Sequence, residues 1–375
     1  MNSQISEPAT DAIPQIPQPL PPLSWQEKAG LVGDALRQRG LSIPSELAMA
    51  ASSHPWIAQK MLYPRYQKRL IAYQSQIRQI ESDLNTADTQ IVASLRQNGI
   101  CVTNLAELDL PLNKEFWQSG QAIAAELALL AKMPKYATKH TLTGDASQLM
   151  RYPALFWWGA QERLLKIVEA YLELPVAYDA LSFYYSLADG RDAGPRKWHR
   201  DREDWRMIKI GIYLNDVDEL GGPFECMTPS ANHFLREQVD YPFQVFKESE
   251  LLSRWPERFS HEFNNRENHD QASKSQINQP WRTSCTGKAG TVIFVDTASY
   301  YHRGKPPIMQ DRAAIFFGYF AQRPQRPFFC ERSPLSRNQI KALSQNLSPL
   351  SQKVALWPNN LHPLAKLCPK NRLKV

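Results

Sequence analysis

Residues 206–214 alternate, with Ile208, Ile210, Ile212 and Leu214 on one side of an extended backbone. A period of two sustained this long predicts a strand with one buried face, whose register cannot slip without exposing that face. Other strand-forming runs are Leu181, Phe183, Tyr184 and Tyr185 around Ser182, then 291–295 and 312–320. Before residue 175 the pattern is helical, apart from a first strand at 100–102. Over 64–84, Tyr66, Leu70, Tyr73, Ile77, Ile80 and Leu84 are spaced by fours and threes. That gives one narrow apolar stripe, suited to packing on the chain's own core or to a dimer contact. Further helices are expected at 88–98, ended by Gly99, at 116–132 through Ile123, Leu127 and Leu130, and at 164–171. Helices first and strands afterwards predict an α+β chain with an all-β core.

The ends differ from the body. Residues 1–24 hold six prolines and few bulky apolar side chains, and read as a disordered arm. Ser24 then caps a short helix through Arg39, closed by Gly40. The stretch 232–281 is polar and aperiodic, an insertion expected to be a lid, a substrate-facing segment or a passive loop. The net charge of +7 is concentrated late: residues 321–375 carry 10 Lys/Arg against Glu331 alone, +9, which leaves −2 for the rest. Residues 327–375 therefore read as a basic tail, with weak helical signals around Leu335 to Leu347, either solvated or facing an anionic partner. The expected organisation is an arm (1–24), a helical region (25–98), a catalytic domain (99–326, with the insertion) and the tail.

No apolar run approaches the length of a membrane span, and the N-terminus lacks a secretory pattern. Five scattered cysteines without a CxxC pair suit reduced thiols and a cytoplasmic location. GxSxG, Walker-type and GxGxxG motifs are absent. His54, His140, His261, His269 and His362 stand in no metal-ligand pattern and are read as structural or solvated.

The chemistry is expected in 198–230, WHRDREDWRMIKIGIYLNDVDELGGPFECMTPS. His199 and Asp201, two apart on an extended chain, leave the same face. An imidazole and a carboxylate so placed are two parts of the 2-His-1-carboxylate facial triad of non-haem Fe(II) oxygenases, and His302 is the candidate third. By itself His-x-Asp also fits a surface ion pair. Its context adds weight: the alternating strand follows it, turn signals stand at Asn215-Asp216 and Gly221-Gly222-Pro223, and the run GTVIFV precedes His302. Arg312 opens the last strand. Trp198, Trp205 and Tyr185 are candidates to flank a pocket, though core packing is the commoner role of such residues.

His199, Asp201, His302 and Arg312, with WHRD, NDVDELGGPFECMTPSANH and GTVIFVD…HRG…RAAIFFGYF, resemble the phytanoyl-CoA dioxygenase family of Fe(II)/2-oxoglutarate oxygenases over about residues 91–323. The resemblance implies a double-stranded β-helix (jelly-roll, cupin-like) with the early helices outside it. It implies His199, Asp201 and His302 as iron ligands and 2-oxoglutarate and O2 as cosubstrates, the former oxidised to succinate and CO2. It also implies Arg312 as partner of the distal carboxylate, a match for guanidinium. Arg303 is the competing arginine, disfavoured because neighbours on a strand face opposite ways. Retention of Asp201 implies hydroxylation rather than halogenation. Where the family shows a Pro-Gly-Ser-His-like turn, this chain has Pro229-Ser230-Ala231-Asn232-His233, read as structural.

A small-molecule or lipid-like substrate is expected, and nucleic acid is not the expected partner. The alternatives are the same chemistry on a protein or nucleic acid recruited by the tail, a metal-binding jelly-roll without turnover, and a basic adaptor whose triad is coincidence.

Overall fold

The alternation at 206–214 becomes one of nine strands in the computed structural model, which describes residues 54–259 and 280–361. They are β1 (Ile100–Asn104), β2 (Thr141–Thr143), β3 (Val176–Ser186), β4 (Ile208–Tyr213), β5 (Phe224–Met227), β6 (Arg282–Cys285), β7 (Thr291–Asp296), β8 (His302–Gly304) and β9 (Arg312–Ala321). A six-stranded sheet runs β1-β7-β4-β9-β3-β2 and a three-stranded sheet β6-β5-β8. Every pairing is antiparallel. One face of the larger sheet places Ile208, Ile210, Ile212, Phe294 and Ile315 against the helices. The other places Tyr213, Ile293, Val295 and Ala314 against Phe224, Cys226 and Cys285 of the smaller sheet. Two sheets sharing an apolar layer form the jelly-roll core, and the fold is α+β, as expected.

Among the described residues, five helices of seven residues or more precede β3: α1 (Tyr63–Ser82), α2 (Thr86–Asn98), α3 (Asn113–Ala131), α4 (Pro153–Gly159) and α5 (Glu162–Leu172). The stripe of α1 packs on the chain itself: Tyr66 joins Leu174 and Ala321, while Ile80 meets the main core. Asn85 caps α2 by accepting the Asp88 N–H, and Gly99 ends it at φ 73°. A Cβ at Gly99 would also collide with the Tyr300 ring. None of the described helices is long and apolar enough to cross a membrane.

Two expectations about the later chain change. The described part of 232–281 is not structureless. It holds most of α6 (Pro229–Gln238) and all of α7 (Glu248–Arg254), and buries Leu235, Phe246, Leu251 and Phe259 against Trp198, Trp281 and Tyr301. Its few apolar residues lie far apart in sequence, so no local period announces this cluster. Likewise, residues 327–361 are not a solvated tail. They form α8 (Arg337–Ser344) and α9 (Pro349–Ala355) and bury Leu335, Leu343, Val354 and Trp357 on the core. The core-forming chain therefore continues past the boundary expected at 326. The arm at 1–24, the helix from Ser24, His261, His269, His362 and Cys368 lie outside the described residues.

Candidate active site

His199 lies on an extended segment between β3 and β4, beside the free edge of β8. His199 N–H donates to His302 C=O at 3.0 Å and His302 N–H to His199 C=O at 2.9 Å. The two residues thus form an antiparallel bridge, with ring centroids 4.4 Å apart. Asp201 N–H donates to Thr297 C=O at 2.8 Å, so the segment is held over its length. The result gathers the expected trio: ligand atoms of His199, Asp201 and His302 all lie within 4.8 Å of one another.

The imidazoles are oriented by their own backbone. Each Nδ1 faces the carbonyl two residues earlier, His199 to Lys197 at 2.7 Å and His302 to Tyr300 at 3.1 Å. A proton on Nδ1 satisfies that carbonyl and leaves the Nε2 lone pair bare, the usual arrangement behind a metal-bound histidine. Burial holds both imidazoles below their ordinary pKa, His302 far below, with the neighbouring His199 adding to the effect. Burial pushes Asp201 the other way, toward the neutral acid. Lys209, His302 and Arg332 together outweigh it and hold the carboxyl well below the usual range. Two neutral imidazoles and one ionised carboxylate are the donor set that divalent iron takes on one octahedral face, so these side chains fit that metal.

Lys209 and Arg332 were not among the expected site residues. Lys209 Nζ lies 2.7 Å from Asp201 Oδ2, and Arg332 NH1 3.7 Å from Oδ1. Arg332 also pairs with the fully buried Glu203, Nε to Oε1 at 2.6 Å. A signal for Lys209 existed, since a charged residue between Ile208 and Ile210 must face the interior of the roll. Arg332 offered none, because it comes from a segment without period.

The trio opens on a cavity of about 590 Å³. Alternate residues of β3 line it with hydroxyls, Ser182, Tyr184 and Ser186, and Phe224 and Phe316 supply apolar surface. Arg312, at the start of β9, belongs to the same wall and is 6 % exposed. Among the described residues its guanidinium has no carboxylate partner and donates one long hydrogen bond, to Lys305 C=O at 3.4 Å. Burial, with Arg196 nearby, lowers its pKa to about 10, which leaves it charged at neutral pH. Gly304 gives it room, for a Cβ there would stand 2.6 Å from Arg312 NH2. A buried guanidinium with unused donors is costly until a carboxylate meets it.

Arg303 faces the other way. Its Nε donates to Glu225 Oε2 at 2.6 Å and its NH2 to Glu248 Oε2 at 2.7 Å. The aromatic candidates are core residues: Trp198 packs on Trp281, Trp205 on Tyr66, and Tyr185 against the helix-side core. Tyr184, one residue before Tyr185, is the one that reaches the cavity, as strand alternation requires. His140 also lines the cavity but stands outside the ligand trio. Pro229-Ser230-Ala231-Asn232-His233 begins α6, where Asn232 accepts the Tyr301 N–H at 2.9 Å and donates to Ser299 C=O at 3.1 Å.

No protein-family model and no curated protein matches the chain. Among solved structures, HygX from Streptomyces hygroscopicus with nickel and 2-oxoglutarate bound is 13% identical, with TM-score 0.40 over 66% of this chain and 89% of that one. The carbocyclase SnoK from nogalamycin biosynthesis, described as non-haem and α-ketoglutarate dependent, is 15% identical, with TM-score 0.41 over 72% and 93%. The epimerase SnoN from the same biosynthesis, described likewise, is 13% identical, with TM-score 0.38 over 63% and 83%. Likeness at this level assigns neither family nor activity, and the geometry of the cavity has to carry the functional reading.

Proposed function

We propose that this chain is an Fe(II)- and 2-oxoglutarate-dependent oxygenase that hydroxylates a small organic substrate and releases succinate and CO2. One observation carries the reading. Two histidines, each with Nδ1 on a backbone carbonyl, and a buried aspartate converge in a cavity that also holds a buried arginine with no carboxylate partner among the described residues. His199, Asp201 and His302 would hold the iron, and Arg312 would take the distal carboxylate of 2-oxoglutarate. Bound there, the metal and cosubstrate would supply the oxidising power for C–H cleavage.

The chain's own part is placement and charge. The carbonyls of Lys197 and Tyr300 fix the ring tautomers, and Lys209 and Arg332 keep Asp201 ionised. Arg312 orients a dicarboxylate by two parallel N–H donors while Gly304 leaves it space. Phe224 and Phe316 exclude water near the trio, and the β3 hydroxyls offer polar contacts further out.

Anaerobic addition of Fe(II) and 2-oxoglutarate should produce a weak visible metal-to-ligand band, and air should then yield succinate. A protein that binds neither, or that binds both without any succinate, would refute the assignment. The substrate can then be sought in metabolite extracts by stimulated succinate release.

A further inference from the structure

The cavity wall also holds Arg200 and Arg202, which the proposed chemistry does not use. Arg200, Arg202 and Arg326 surround the Phe243 ring, with guanidinium carbons 5.8, 5.9 and 4.9 Å from its centroid. Arg200 and Arg202, like charges against one ring, repel each other, and a ring quadrupole compensates them only in part. The carboxylates next to them in sequence are engaged elsewhere. Glu203 takes Arg332 and the Arg202 backbone N–H, and Asp204 takes the backbone N–H groups of Trp205, Ala321 and Gln325.

Arg200 donates from Nε and NH2 to Ala298 C=O at 2.9 and 2.6 Å and from NH1 to Pro242 C=O at 3.3 Å. These are neutral acceptors, and one N–H on each terminal nitrogen is left over. Among the described residues the Arg202 guanidinium makes no hydrogen bond or ion pair; its contacts are the rings of Phe243 and Phe329. Both arginines line the cavity of the metal trio.

We propose that Arg200 and Arg202, seated on Phe243, form an anion subsite that takes a carboxylate, sulfate or phosphate group of the substrate. The proposal rests on the oxygenase reading, in which Arg312 already holds the cosubstrate. It makes the substrate an acidic molecule anchored at one end by this subsite, with its reacting carbon reaching toward His199 and His302.

The test titrates acetate, sulfate and inorganic phosphate calorimetrically into the anaerobic Fe(II)–2-oxoglutarate complex at constant ionic strength set by chloride. At least one anion should bind at one equivalent and shift the visible band, because it enters the same cavity; the arm that binds names the group. Arg202→Gln should weaken that binding about tenfold, and Arg202→Lys, which keeps the charge and loses the fork, by less. Denaturation midpoints control for folding of both variants. Binding no stronger than chloride, or equal affinity in Arg202→Gln, would overturn the subsite. Failure of the oxygenase reading looks different. The wild-type band is then missing, while the calorimetric titration of the same protein still decides the subsite.

Discussion

His302 and Arg303 are neighbours on β8, yet they serve opposite faces of the smaller sheet. His302 faces the cavity, where polar groups are held in place but, among the described residues, left with spare valence: the imidazole Nε2 atoms, Arg312 with its one long hydrogen bond, and Arg202. Arg303 faces a closed network. It pairs with Glu225 and Glu248, Arg282 pairs with the same two glutamates, and Trp198 lies under its guanidinium at 4.8 Å. Buried charge is dense on both sides. The difference is saturation, and a saturated network does architectural work while an unsaturated one waits for something to bind.

Removing a member from each side should separate these roles. The largest effect is expected in the trio: Asp201→Ala or His302→Ala should end 2-oxoglutarate turnover and metal retention, read by succinate and bound iron. Persistent iron at one equivalent in either variant would place the metal elsewhere. On the saturated face, Glu225→Gln removes the more deeply buried of the two carboxylates that Arg282 and Arg303 share and should cost about 3–5 kcal/mol in urea denaturation. A loss below about 1 kcal/mol would mean that water already screens that network. Next comes Arg312→Gln, which removes a charge-assisted fork and should raise the 2-oxoglutarate KM by roughly 10- to 100-fold. An unchanged KM would transfer the role to another cation. Gly304→Ala should do the same more weakly, by several-fold, since the added methyl displaces the guanidinium rather than deleting it.

The smallest effect is a pH dependence. Burial favours neutral Glu248, but Arg303 and Arg282 overcome this and bring its pKa down to about 2. A carboxyl depressed on folding stabilises fully above its unfolded value, about 4.3. It loses that contribution as pH falls toward the folded value. The stability gap between wild type and Glu248→Gln should therefore shrink from pH 5 to pH 2 in denaturation series. A constant gap would show that Glu248 contributes no charge to the network.

The comparison also shows what sequence could reveal. The period of β4 set its register, and with it the side of the sheet on which a charged residue must face inward. His-x-Asp and the later His302 could be paired because extended backbone has only two faces. The short strands β5, β6 and β8 escaped, since three or four residues cannot display a period. The closed network escaped for another reason: Glu225, Glu248, Arg282 and Arg303 come from four separate places, and nothing local marks a charge as buried. In 327–361 a helical signal around Leu335 to Leu347 was legible, but basic residues on the outer faces made a packed segment resemble a solvated one.

Arg332 has a consequence for the order in which the protein can be made. It is the buried Glu203's salt-bridge partner and a flanking cation of Asp201, yet it follows the last strand. While the nascent chain ends before residue 332, the roll can close only around two acidic groups that Lys209 alone offsets. Charge balance around the trio therefore waits on a residue beyond the last strand, and a chain cut after β9 would carry every described strand yet leave Asp201 and Glu203 short of one cation.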